Sequence, residues 1–157
     1  MSGENDEKLK YLLEALPAGF LVDSVWLERS GIGYRSAYYY VKRGWLERVA
    51  RGVFRRPTPN ASRGKTIGWK TATLSLQHIM DRPIHVGGIT ALGLQGYSHY
   101  LPLGGHSPVW MYGNTIPNWL AKLPMDARLE PRRTTLFADP MLGLTEESEG
   151  AIQASRT

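Results

Sequence analysis

The segment Tyr34–Arg43 is closed by Gly44 and followed at once by two short alternating arms, and this succession limits the folds open to the chain. With Ala37, Tyr40 and Val41 turned inward, the segment reads as a helix at 3.6-residue spacing. Its outer face then carries Tyr34, Arg35, Ser36, Tyr38, Tyr39, Lys42 and Arg43. Gly44 supplies the left-handed residue that ends such a helix. Beyond it, Trp45–Val49 and Val53–Arg56 alternate apolar and polar residues around a turn at Ala50, Arg51 and Gly52. That is the pattern of a β-hairpin. A basic helix running straight into a basic hairpin predicts a wing.

The residues upstream complete the unit. Leu9, Leu12, Leu13 and Leu16 recur at helical spacing from Asp6 to Leu16, and Pro17, Ala18 and Gly19 stop that helix. Phe20, Leu21 and Val22 lead to Asp23, an N-cap for a second helix ending near Arg29, with Val25, Trp26 and Leu27 expected on its buried side. Ser30–Gly33 has the length of the turn that joins the two helices of a helix-turn-helix. Residues 1–57 therefore read as a winged helix-turn-helix.

Charge points to the partner. The chain carries 19 Lys and Arg against 14 Asp and Glu, a net +5. Between Arg29 and Arg56 there are eight basic residues and one acid, Glu47, so this segment holds +7 and the rest of the chain −2. A polyanion suits such a focus, because each contacted phosphate releases condensed counterions. On this reading Arg35, Tyr38, Tyr39 and Lys42 face a major groove. Arg48, Arg51, Arg55 and Arg56 lie along flanking phosphates or a minor groove. Two plainer readings stand beside it: a solvated basic face, and tyrosines that merely pack. The absence of cysteine excludes disulfides and thiolate metal sites. The acidic start has no secretion-signal core, and no apolar run approaches the roughly 18 residues of a membrane span, so a cytoplasmic protein is expected.

Pro57–Gly64 has linker composition, and residues 65–140 read as a small mixed α/β domain, making the whole chain α+β. The expected elements are a helix over Lys65–Met80, with Ile67, Thr71, Leu74, Leu76 and Ile79 inward, and a strand at Ile84–Val86. A short helix opened by Gly87 and Gly88 and reaching Gly96 follows, then a strand at Pro108–Tyr112, a helical turn at Pro117–Lys122 and a last strand at Arg132–Phe137. Residues 141–157 read as a polar, frayed tail. This half carries little chemistry. His85, His99 and His106 sit in different elements without paired spacing, so no metal site is assigned. Gly87 and Gly88 lack the lysine of a phosphate loop and the third glycine of a dinucleotide motif. Asp81, Asp126, Glu130 and Asp139 are not spaced as a nuclease would need. No catalytic residue and no cofactor is assigned. A winged-helix-targeted nuclease or nucleotide-handling enzyme, and a protein-interaction module, remain as alternatives.

Two stretches carry a family resemblance: KLKYLLEALPAGFLVDSVWLERSGIGYRSAYYYVKRGWLERVARGVFRRP and HVGGITALGLQGYSHYLPLG. The first resembles the N-terminal domain of AbiEi-type antitoxins, transcriptional regulators of bacterial abortive-infection systems, and the second resembles the block that follows it there. The resemblance implies a repressor of its own type IV toxin–antitoxin operon that binds inverted repeats in promoter DNA as a monomer or weak dimer. It further implies a nucleotidyltransferase-like toxin that the antitoxin counters without stable contact. DNA binding would map onto Tyr34–Arg43 and Trp45–Arg56. The second domain would carry the antitoxin-associated part, and family members usually continue further than this chain.

Overall fold

A computed structural model describes residues 2–59, 66–87 and 108–133. The chain divides into two compact units, Met1–Lys65 and Thr66–Thr157. Among the described residues they mix helices with two three-stranded sheets, an α+β architecture.

In the first unit α1 spans Ser2–Ala15, four residues longer at its start than the leucine spacing predicts. Leu12 within it and Leu16 just past its end are fully buried. Pro17, which disfavours helical backbone in the residue before it, ends the helix. The Arg56 guanidinium then donates to the open carbonyls of Leu13 and Leu16, both at 2.7 Å. Next comes a strand that alternation does not reveal, β1 at Leu21–Asp23, buried at all three positions. Asp23 also caps α2 (Ser24–Arg29), accepting from the Trp26 amide at 2.9 Å.

The expected buried side of α2 is corrected. Leu27 is buried, but Val25 is 52% exposed, and Trp26 is part-exposed, stacked on Tyr11 with centroids 6.4 Å apart. Six residues make fewer than two turns, so α2 has room for only a narrow inward stripe.

α3 spans Tyr34–Lys42 with Ala37 and Tyr40 buried. Both helices of the pair end alike. Gly31 (φ 79°) and Gly44 (φ 78°) take the left-handed conformation. The amides of Gly31 and Ile32 return to the carbonyls of Glu28 and Leu27, and those of Gly44 and Trp45 to Val41 and Tyr40. This is the Schellman arrangement, which satisfies the last carbonyls while turning the chain sharply.

The hairpin consists of β2 (Glu47–Ala50) and β3 (Val53–Arg55), so its first arm begins two residues later than alternation predicts. Its register pairs Glu47 with Arg55 and Arg48 with Phe54, then shifts at a bulge before Ala50 meets Val53. β1 adds to the other side of β3, with Val22 opposite Phe54, giving the antiparallel order β1-β3-β2. Leu21, Val22, Leu27, Ile32, Tyr40, Leu46 and Val53 supply the core of this winged helix-turn-helix.

In the second unit the expected single helix is corrected. Ile67 lies outside it, in an isolated parallel bridge to Met125. α4 covers Trp69–Leu74 and passes into a π-helical turn at Ser75–Ile79. Thr73 and Ser75 turn their hydroxyls back to the carbonyls of Trp69 and Thr71, at 2.8 and 2.7 Å. Such back-bonding disturbs a regular ladder. The wider turn rotates the inward stripe, so Ala72, Thr73, Ser75, Leu76 and Gln77 are buried while Thr71, Leu74 and Ile79 are only half-buried.

Strands β4 (His85–Gly87), β5 (Val109–Tyr112) and β6 (Leu129–Arg132) form a sheet in that order, antiparallel then parallel. β6 lies earlier than the Arg132–Phe137 strand that was expected, and residues 134–137 fall outside the described ones. The turn at Asn118–Lys122 is a 3-10 helix. Gly87 ends β4, and a Cβ there would stand 2.6 Å from the Tyr112 ring, so ring packing accounts for this glycine. Gly88, the helix expected to reach Gly96, His99, His106, Asp139 and the 141–157 tail lie outside the described residues.

Candidate nucleic-acid interface

On α3 the outward side chains form two rows, because residues four apart stand one above the other on a helix. Tyr34, Tyr38 and Lys42 make the first. The two rings are stacked at 6.5 Å with planes 13° apart, and the Lys42 ammonium lies 5.0 Å from the Tyr38 centroid. Arg35, Tyr39 and Arg43 make the second. The Arg43 guanidinium lies 5.3 Å from the Tyr39 centroid, and its Nε donates to the Tyr39 hydroxyl at 3.1 Å.

Tyr34, Tyr38 and Tyr39 are 74%, 52% and 48% exposed, so these three rings are not core. The packing role falls to Tyr40 alone, whose hydroxyl donates to the Asn5 carbonyl at 3.3 Å and whose phenol is pushed above its ordinary pKa by burial. Ser36 is half-buried. Tyr38 and Tyr39 each carry a cation beside the ring, and the three rings leave a mixed aromatic and cationic surface facing solvent.

No carboxylate stands in either row. Arg35 makes no ion pair or hydrogen bond to another side chain among the described residues, and it lies in the first turn of the helix. The helix starts from Gly33, which offers no side-chain cap, so the first-turn amides keep their capacity to donate.

The hairpin arginines divide. Arg51 sits exposed at the turn, and Arg48 is exposed with a single long contact, 3.4 Å, to the Ala50 carbonyl. Arg55 is engaged. Its Nη2 and Nε meet the Glu47 carboxylate across the strands at 2.7 and 3.2 Å, and its side chain is only 17% exposed. Arg56 is committed to the end of α1. Of the basic residues counted in the sequence, these two therefore serve the fold first. Trp45, assigned from the sequence to the hairpin arm, stands 43% exposed next to Arg43 and Gly44. Only its place just after a helix-ending glycine hinted at that.

Among the described residues of the second unit, the acids and histidines serve local structure. Asp126 accepts from the Trp69 amide at 2.8 Å and so caps α4, while Glu130 pairs with Arg128 at 2.7 Å. His85 stacks on Tyr112 with centroids 5.5 Å apart. Among the described residues no three His, Asp or Glu side chains come together to share a metal ion, and no helix is long and apolar enough to cross a membrane.

A family model described as transcriptional regulator, AbiEi antitoxin N-terminal domain, matches residues 5–103. No curated protein and no solved structure matches the chain. The matched span takes in nearly all of α1, the helix pair, the hairpin and the first elements of the second unit, well over half of the sequence. With its winged helix-turn-helix and carboxylate-free cationic face, the chain belongs to the AbiEi antitoxin family of DNA-binding transcriptional regulators.

Proposed function

We propose that this protein is a sequence-specific repressor of its own operon and the antitoxin of a type IV abortive-infection pair. The observation that supports this most is the α3 surface: three exposed tyrosines interleaved with Arg35, Lys42 and Arg43 and free of any carboxylate. In the proposed complex α3 enters the major groove. Tyr34, Arg35, Tyr38 and Tyr39 face base edges, while Lys42 and Arg43 meet phosphates at the far end of the helix. Ser36 and the open amides beside Gly33 reach the backbone at the near end. Arg48 and Arg51 grip phosphates flanking the groove. Arg55 and Arg56 hold the wing and α1 in place, and contact DNA only at the margin.

A single winged helix covers little duplex, so two copies occupy an inverted repeat in the promoter. The protein acts in the cytoplasm. The second unit carries the antitoxin-associated part and opposes a nucleotidyltransferase-like toxin without stable contact, as in the family it joins. No cofactor or metal takes part.

The test is fluorescence-anisotropy binding to the duplex upstream of its own gene, at two salt concentrations, against a scrambled duplex. Preferential binding that weakens steeply with salt is expected. Equal binding to both duplexes would overturn self-repression, and no binding would overturn the DNA-binding role itself.

A further inference from the structure

The chemistry of the α3 face also restricts which bases it can read. Resting on the proposed groove-binding role of that face, we infer that the operator half-site centres on a guanine read by Arg35, with thymine beside it packed against the Tyr34–Tyr38 ring pair.

Arginine and lysine only donate hydrogen bonds, and a tyrosine hydroxyl gives or takes one. The exposed face has no asparagine or glutamine to grip adenine through N6 and N7, and no carboxylate to accept from cytosine N4. Guanine alone offers two acceptors, O6 and N7, to a two-pronged donor. Among the described residues, Arg35 is the one cation of the face that neither lies over a ring nor donates to a neighbour. Lys42 is drawn to Tyr38 and Arg43 to Tyr39. It also stands in the first turn, the part of a recognition helix that approaches base edges.

The ring pair explains the second base. Tyr34 and Tyr38 present nearly parallel rings, 13° apart, whose apolar surface is largely uncovered. In the major groove the thymine C5 methyl is the one apolar group a base pair displays. One helical turn rises about 5.4 Å and base pairs follow every 3.4 Å or so, which puts the methyl contact within about two base pairs of the guanine.

The experiment has two stages, both with the full chain. Selection from a randomised duplex pool first yields a bound core, expected to contain guanine with thymine within two base pairs. Anisotropy on that core then compares the natural duplex with two modified ones. In one, 7-deazaguanine replaces guanine and removes the N7 acceptor. In the other, uracil replaces thymine and removes only the methyl. The first change should weaken binding about tenfold for the natural protein and hardly at all for R35A. The second should weaken binding about three- to tenfold for the natural protein, a difference that Y34A and Y38A abolish. A core without guanine and thymine, or modified duplexes bound as well as the natural one, would overturn the inference while leaving DNA binding intact. Failure of the pool to yield any salt-sensitive binding would overturn the DNA-binding role and the base preference together.

Discussion

Helix α3 and the hairpin carry similar numbers of basic residues but engage them in different ways. On α3, Lys42 and Arg43 lean on tyrosine rings and a phenol hydroxyl, partners that hold a cation in position without cancelling its charge. In the hairpin, Arg55 meets a carboxylate across the strands and Arg56 is spent on backbone carbonyls. A phosphate can recruit the first kind of cation cheaply, whereas the second must first break an internal contact. The +7 of the segment therefore overstates the charge facing a partner, and the surplus lies on Arg29, on α3 and its cap Arg43, and on Arg48 and Arg51.

The comparison can be broken most forcefully at Arg56. Replacing it with Ala removes two charge-assisted bonds to the end of α1, and urea unfolding should show a loss of about 2–3 kcal/mol. DNA salt dependence measured on the fraction that remains folded should stay unchanged. A large drop in salt slope would instead make Arg56 a phosphate contact.

The next effect separates the charged groups by engagement. Lys42→Ala and Arg51→Ala should each cost about 1 kcal/mol of affinity and lower the log–log salt slope by about 1. Arg55→Ala should change the slope much less, since the native pair is already nearly neutral. Equal slopes for Arg51→Ala and Arg55→Ala would erase the distinction.

A gain of function sharpens it further. Glu47→Gln frees Arg55, so affinity at low salt should rise severalfold. Stability should fall by no more than about 1 kcal/mol, because the pair is partly exposed. The smallest effect belongs to Tyr40. Burial raises its phenol pKa, so the folded state resists deprotonation and loses stability as pH climbs from the unfolded pKa near 10 through the folded value. Tyr40→Phe should cost under about 1 kcal/mol at neutral pH and soften that alkaline decline.

Much of the first unit was legible before its coordinates. The leucine spacing of α1, the Asp23 cap, the glycine that ends α3 and the hairpin alternation are all local signals, and each has its structural counterpart. β1 was not legible. Three residues buried on both faces show no alternation, and the strand exists because β3 runs beside it some thirty residues later. The second unit was harder for a similar reason. The π-helical turn and the early start of β6 depend on side-chain back-bonding and on a parallel partner, neither of which leaves a period in the sequence. At the candidate site, the exposure of Tyr38 and Tyr39 followed from helix geometry. The commitments of Arg55 and Arg56 did not, because one depends on strand register and the other reaches carbonyls forty residues away.

The hairpin tip is tied down to the helix pair. The Ser24 amide donates to the Gly52 carbonyl at 2.8 Å, so the turn of the wing is fastened to the first turn of α2, while β1 holds the opposite edge of β3. Ordering a free loop costs on the order of 1–2 kcal/mol per residue. Here that entropy is lost on folding, not on docking. On the proposed DNA-binding role, α3 and the wing arrive as one preset template, and little affinity is forfeited to disorder at the moment of capture. Ser24→Pro, which removes the donating amide at a position where a helix start tolerates proline, would surface as slower, looser capture of every sequence alike.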